Sequence, residues 1–264
     1  MHPLFDAHCH LQDAQLASVL PDLPLSVRGW IVNGTSPDDW DAVAVLADRD
    51  SRVVPAFGLH PWCVNPVNAE RFTEKLQGYL QKFPNAHVGE IGVDRWKTGL
   101  DEALQVEALA QQLEIAAEFE RPATIHCLKA WGMLEEAWAK ARGVPKVVLL
   151  HAFNGSKETA HVWMKRGAYF SYSTYFLHER KAPTREVFRY LPIERLLVET
   201  DAPAMSPPVE FCVELGGLNP DDAINHPLNL SVAYQSLADV RGLVLDALVS
   251  MISENFLRFI KGEL

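Results

Sequence analysis

Apolar residues along the chain follow two periods. Eight short, β-branched runs are separated by longer stretches with helical spacing. The runs predict strands at Leu4 to His8, Gly29 to Asn33, Val53 to Gly58, His87 to Gly92, Ala123 to Cys127, Lys146 to His151, Ala168 to Tyr172 and Leu196 to Asp201. Between and after them, helices are expected from several signals. Ser36-Pro37-Asp38-Asp39 offers a cap residue followed by proline at the first helical position. Asp101 to Arg121 carries a stripe through Leu104, Ala108, Gln111, Ile115 and Phe119, and Ser156-Lys157-Glu158 opens another helix after Gly155. Further helical segments cover Ala130 to Arg142, Pro183 to Tyr190, Leu228 to Leu237 and Gly242 to Ile260. Strand and helix alternating eight times predict an α/β fold, a (β/α)8 TIM barrel. The rival, an open doubly wound sheet, gathers its site at one switch point. Here polar residues stand at the ends of many strands, which favours the barrel. The irregular stretch from Ala202 to Pro227 is long enough to be a functional loop.

A chain of 264 residues suits one barrel domain spanning residues 1–264. With 48% hydrophobic and 22% charged residues it can bury a full core without a metal or disulfide, so a metal site here would be catalytic rather than structural. The formal charge of −10 argues against coating DNA by bulk electrostatics, but not against a phosphodiester held locally. No apolar run reaches the length of a membrane span, and the opening residues from Met1 to Asp6 lack the basic and apolar stretches of a signal peptide. A cytoplasmic protein is expected, with no membrane and no protein partner indicated. Its four cysteines, none in a CxxC pair, should stay reduced. Cys9 and Cys127 adjoin histidines on strands, so their thiols should point away from whatever those histidines face.

Six residues at predicted strand ends carry the chemistry. His8 and His10, two apart on strand one, leave the same face. Glu90 stands between Gly89 and the Ile91-Gly92 pair, where glycines permit close backbone approach. His126 and His151 end consecutive buried runs, and Asp201 ends the last strand before Pro203. Four imidazoles and two carboxylates suit one or two divalent ions, Zn²⁺ foremost, with Mg²⁺ or Mn²⁺ as alternatives and Glu90 shared between a pair.

Taken in order along the chain, Phe5-Asp6-Ala7-His8-Cys9-His10-Leu11, Gly58-Leu59-His60-Pro61, Gly89-Glu90-Ile91-Gly92-Val93-Asp94, Ile125-His126-Cys127, Leu150-His151-Ala152-Phe153-Asn154-Gly155, Glu199-Thr200-Asp201-Ala202-Pro203 and Glu254-Asn255-Phe256 resemble the TatD-type metal-dependent hydrolases, among the amidohydrolase-like barrels. The resemblance implies a barrel, a divalent metal site on the six residues named and hydrolysis of phosphodiesters, often in DNA. The chain departs from the pattern at Leu128-Lys129, where the family has arginine after His-Cys. It departs again at Arg95, where an aromatic residue is usual, and at Asn225-His226-Pro227, the counterpart of Asn-Glu-Pro. Metal chemistry thus carries over better than DNA specificity.

The expected mechanism is metal-assisted hydrolysis. Bound metal lowers the pKa of a water from ~15.7 towards ~7. His8, His10 and Asp201 would hold one ion, His126 and His151 the other, and Glu90 would bridge. Asp201 and Glu90 are the catalytic candidates, with Asp201 accepting the water's proton. His60, Arg95, Lys129 and Asn154 are candidate substrate contacts, Trp62 and Trp131 could stack on bases, and Asp94 could orient a ligand. A deoxyribonuclease or other phosphodiesterase, with DNA or another phosphodiester as partner, leads. The alternatives are an amidohydrolase or esterase acting on a small carbonyl substrate or aminoacyl ester, and a metal-binding scaffold without turnover.

Overall fold

The computed structural model describes residues 3–17, 23–213 and 224–264. Eight parallel strands form one sheet in sequence order: β1 (Leu4–Cys9), β2 (Val27–Asn33), β3 (Val53–Phe57), β4 (His87–Asp94), β5 (Ala123–Leu128), β6 (Val148–Leu150), β7 (Ala168–Ser173) and β8 (Leu196–Glu199). The last strand returns to the first. Asp201 N–H donates to the His8 carbonyl at 2.9 Å and His10 N–H to the Ala202 carbonyl at 2.8 Å. Asp6, wholly buried, clamps the same seam by accepting from the Thr200 amide at 3.0 Å and its hydroxyl at 2.6 Å. The result is the (β/α)8 barrel that the alternation predicts. Each expected strand is present, with ends displaced by no more than two residues.

The helices are α1 (Trp40–Arg49), α2 (Pro66–Lys82), α3 (Glu102–Glu118), α4 (Trp131–Lys140), α5 (Lys157–Met164), α6 (Ala182–Tyr190), α7 (Leu230–Arg241) and α8 (Leu245–Phe259). Three differ from expectation. The first starts at Trp40 rather than Ser36, because the Asp39 carboxylate folds the preceding residues into a turn by accepting from Thr35 and Ser36 amides. The pattern reading did not pick out α2, whose buried stripe is only Phe72, Leu76 and Leu80; Asn65 caps it and Pro66 opens it. Gly242 ends α7 in a left-handed conformation, φ 64°, rather than opening α8. Within the expected loop from Ala202 to Pro227, residues 214–223 lie outside the described residues, as do residues 1 and 2 at the start of the chain.

Period-two alternation sets the site. Leu149 and Leu197 face an inner apolar cluster with Ala7, Ile31 and Ala56, while Leu150 and Val198 face the helix layer. Two residues beyond Leu149 comes His151; two and four beyond Leu197 come Glu199 and Asp201. Cys9 and Cys127 belong to the outer apolar layer. At the opposite end, α8 and the residues after it cover the strands' N-termini: Phe256 packs at a tilt against Phe5, and Tyr169 Oη donates to the Glu263 carbonyl.

His87 opens β4 at that covered end. Its Nε2–H donates to the Ile260 carbonyl at 3.3 Å, and its buried Nδ1 has no partner. Burial lowers its pKa to about 4, since a proton on Nδ1 would find no acceptor. A depressed histidine contributes stability that is full above its ordinary pKa of 6.5 and lost as pH falls from there to about 4. The loss expected is ~3 kcal/mol, at ~1.36 kcal/mol per pKa unit. Denaturant unfolding of chelated protein at several pH values checks this. His87→Gln, which keeps the donor, should remove that fall, and parallel curves for the two proteins would assign it elsewhere.

Candidate metal centre

All six strand-end candidates meet at the C-terminal mouth of the barrel. Glu90 lies at the centre, placed by close approaches that only glycine allows on either side of it. A Cβ on Gly89 would lie 2.7 Å from Asn33 Oδ1, and one on Gly92, at φ 147°, would lie 2.0 Å from the His126 carbonyl. Around the Glu90 carboxylate the donors divide. Oε2 faces His8 Nε2 at 3.4 Å and His10 Nε2 at 3.3 Å. Asp201 Oδ1 joins this side, 3.3 Å from both rings. Oε1 faces His126 Nδ1 at 3.1 Å and His151 Nε2 at 2.9 Å, with His60 Nε2 at 3.3 Å.

Partners behind the rings determine which nitrogen is free. His10 Nδ1 lies 2.8 Å from the Asn33 carbonyl, which can only accept, so the proton sits there and the Nε2 lone pair points inward. His126 does the reverse: its Nε2–H donates to Asp94 Oδ2 at 2.9 Å, leaving the Nδ1 lone pair inward. His8 stacks on His151, ring centroids 4.0 Å apart, and presents Nε2. His60 is different. Its Nδ1 accepts from the Trp62 amide at 3.1 Å, so Nε2 carries the hydrogen and aims it at Glu90. Although His60, Glu90 and His126 are close enough to hold an ion, this tautomer makes His60 a hydrogen-bond donor beside the site rather than a ligand.

The electrostatics call for cations. Burial alone would raise the Glu90 pKa, yet the histidines around it hold it well below the carboxylate range. Burial alone would depress His10, yet Asp201 and Glu90 raise it well above the histidine range; His151 is raised likewise by Glu90 and Glu199. Protons therefore do in this site what a divalent ion does better, and ion binding would release them. Imidazole lone pairs and carboxylates converging around Glu90 fit divalent-ion binding.

Asp94 supports the Oε1 side. Its Oδ2 accepts from both His126 and Trp62 Nε1, each at 2.9 Å, and its Oδ1 from the amides of Trp96 and Lys97. Asp94→Asn should weaken divalent-ion affinity ~10- to 100-fold, as loss of an outer partner of a ligating histidine typically does. A competitive chelator titration reads this directly, and unchanged affinity would deny Asp94 that role.

The other candidates are placed differently. Arg95 is not turned to the centre: its exposed guanidinium is engaged by Glu102, with Nε at 3.0 Å. Lys129 is exposed, in a left-handed conformation at φ 55°. Asn154 donates to the Cys127 carbonyl at 3.4 Å. Trp131 is half-buried and packs edge-on against Phe153. His226 caps a short turn by accepting from the Leu228 amide. Pattern reading assigned no role to Asp6, Asn33, Glu199 or Asn225, although all four brace the centre. Glu199 lies 3.6 Å from His151 Nδ1, and Asn225 Nδ2 donates to the Thr200 carbonyl at 2.7 Å. Asp6 and Glu199 stand two residues before His8 and Asp201, a spacing that could have marked them.

A parallel barrel whose mouth holds a carboxylate shared between two histidine clusters has the make-up of a metal-dependent hydrolase. Residues 5–261 match the family described as TatD related DNase, and the chain belongs to it. The uncharacterized metal-dependent hydrolase YjjV of Escherichia coli K12 is 28% identical over 207 residues, 76% of this chain and 79% of that protein. The 3'-5' ssDNA/RNA exonuclease TatD of Citrobacter koseri is 30% identical over 214 residues, covering 77% and 80%. The human deoxyribonuclease TATDN3 is 25% identical over 272 residues, covering 97% and 93%. The crystal structure of Escherichia coli YjjV superposes with a TM-score of 0.80 at 25% identity, over 96% of this chain and 95% of that one. The chain is a metal-dependent hydrolase. Among the described residues, no helix is long and apolar enough to cross a membrane.

Proposed function

We propose that the protein is a deoxyribonuclease that cleaves phosphodiesters with a divalent-ion pair, Zn²⁺ foremost, held by His8, His10 and Asp201 on one side and His126 and His151 on the other. The observation that carries this reading is Glu90, whose two oxygens face the two clusters separately. Similar proteins named as a deoxyribonuclease and a single-strand exonuclease support the choice of substrate. When bound, such a pair supplies an activated water at neutral pH and polarises the ester oxygen.

The chain's own residues do the rest. Asp201, held ionised by His10 and His8 against the opposing effect of burial, accepts the proton from the attacking water. His60, neutral because burial holds it below the histidine range, turns its Nε2–H to Glu90 and braces that carboxylate. Asp94 holds the His126 ring in the tautomer the reaction needs. The reading takes residues 1–264 as one catalytic domain and places it in the cytoplasm, where its four unpaired cysteines stay reduced.

The test is cleavage of single-stranded DNA by the metal-loaded protein beside the chelated form. Metal-dependent cleavage is expected. Stoichiometric metal with turnover of a carbonyl ester and none of DNA would overturn the substrate assignment in favour of an amidohydrolase or esterase.

A further inference from the structure

Trp62 and Trp96 stand at the mouth of the barrel with 42% and 55% of their surfaces exposed. Their ring centroids are 6.3 Å apart and their planes are inclined by 28°. Trp62 is also 6.4 Å from the His126 ring and 5.3 Å, edge-on, from His60. Lys97 Nζ lies 4.6 Å above the Trp62 ring. One anchor fixes the group: Asp94 takes the Trp62 indole N–H on one oxygen and the Trp96 and Lys97 amides on the other. The oxygen that holds Trp62 also holds His126, so the platform and the metal ligand are positioned by the same carboxylate.

Single exposed apolar residues are ordinary, but adjacent exposed indoles beside a reaction centre are not. An aromatic face recognises a flat π-system whatever its hydrogen-bonding edge, and a base offers that face only when it is out of a duplex. The chain carries a net charge of −10, so long-range attraction of a polyanion cannot supply affinity. A local contact must.

We propose that Trp62 and Trp96 form the subsite for an unpaired base flanking the scissile phosphate, the base taking the place of Lys97 over the indole face and Lys97 turning to a neighbouring phosphate. The site would select single-stranded over paired nucleic acid without selecting sequence. This inference rests on the phosphodiesterase reading above.

The experiment compares steady-state cleavage of a single-stranded oligonucleotide with that of the same backbone bearing abasic residues, by wild type, Trp96→Ala and Trp96→Phe. Trp96 is more than half exposed, so both variants should fold. Removing the bases should raise the wild-type KM about tenfold, equal to ~1.4 kcal/mol and within the range for base–aromatic stacking. Trp96→Ala should show the same rise on the normal strand and little further rise on the abasic one, with the loss in KM rather than kcat. Trp96→Phe should recover most of it. Equal KM for both strands in wild type, or an equal loss on both strands in Trp96→Ala, overturns the subsite while cleavage itself stands. If wild type cleaves neither strand yet turns over a carbonyl ester, the phosphodiesterase reading falls and takes the subsite with it.

Discussion

Asp201→Asn is expected to lower kcat about 1,000-fold while leaving most of the metal in place. General-base catalysis contributes ~10²- to 10⁴-fold, and a thousandfold loss corresponds to ~4 kcal/mol of barrier. The substitution isolates that role. Asp201 sits in the left-handed region at φ 60°, which asparagine tolerates almost alone among other residues with a side chain. The backbone bond from Asp201 to the His8 carbonyl survives, and the amide keeps an oxygen to face His8 and His10. The capacity to take a proton is lost, together with the negative charge. Elemental analysis beside steady-state kinetics separates the two effects. Near-full activity with metal retained would remove Asp201 as the base.

Glu90→Gln should act earlier, on occupancy. A carboxylate with one oxygen towards His8 and His10 and the other towards His126 and His151 can serve two ions. An amide has one oxygen and no charge. Metal content should fall from two equivalents to one or fewer, and turnover by at least about 1,000-fold, the range seen when central catalytic groups are removed. Gln fills nearly the same volume, so the barrel should persist. Thermal stability gives an independent check. A ligand at ~1,000 times its Kd stabilises by ~4 kcal/mol, and the rise in Tm on adding metal should shrink in the variant. Two equivalents and an unchanged Tm rise in Glu90→Gln would deny it the bridging role.

The legibility of the site followed a physical pattern. His8, His10, His126, His151 and Asp201 could be read because strand ends in a parallel barrel share one face, and a two-residue period says which side chains point together. Asp94 could be suspected from its place after Glu90. The tryptophans were less legible. Trp62 is at the mouth, Trp131 is half-buried against Phe153, and Trp96, which follows β4, is the more exposed neighbour of Trp62. Trp96 and Trp131 both follow a strand, and nothing local distinguishes a tryptophan folded back onto the core from one left in solvent. The pairing of Arg95 with Glu102 was equally hidden, since it spans the loop into α3.

By itself the sequence determined the alternation of strand and helix, the barrel and the six polar strand-end residues that meet at its mouth, because these depend on short-range periodicity and on one topology that brings eight strand ends together. Tertiary structure decided the rest. It set which oxygen of Glu90 faces which histidines and made His60 a donor by turning its Nδ1 to the Trp62 amide. It also joined Trp62 to His126 through Asp94 and buried Asp6 as the clamp between the first strand and the last. Apart from the local contact of His60 with Trp62, each depends on side-chain rotamers and hydrogen-bond partners that meet only when distant strands close into a ring.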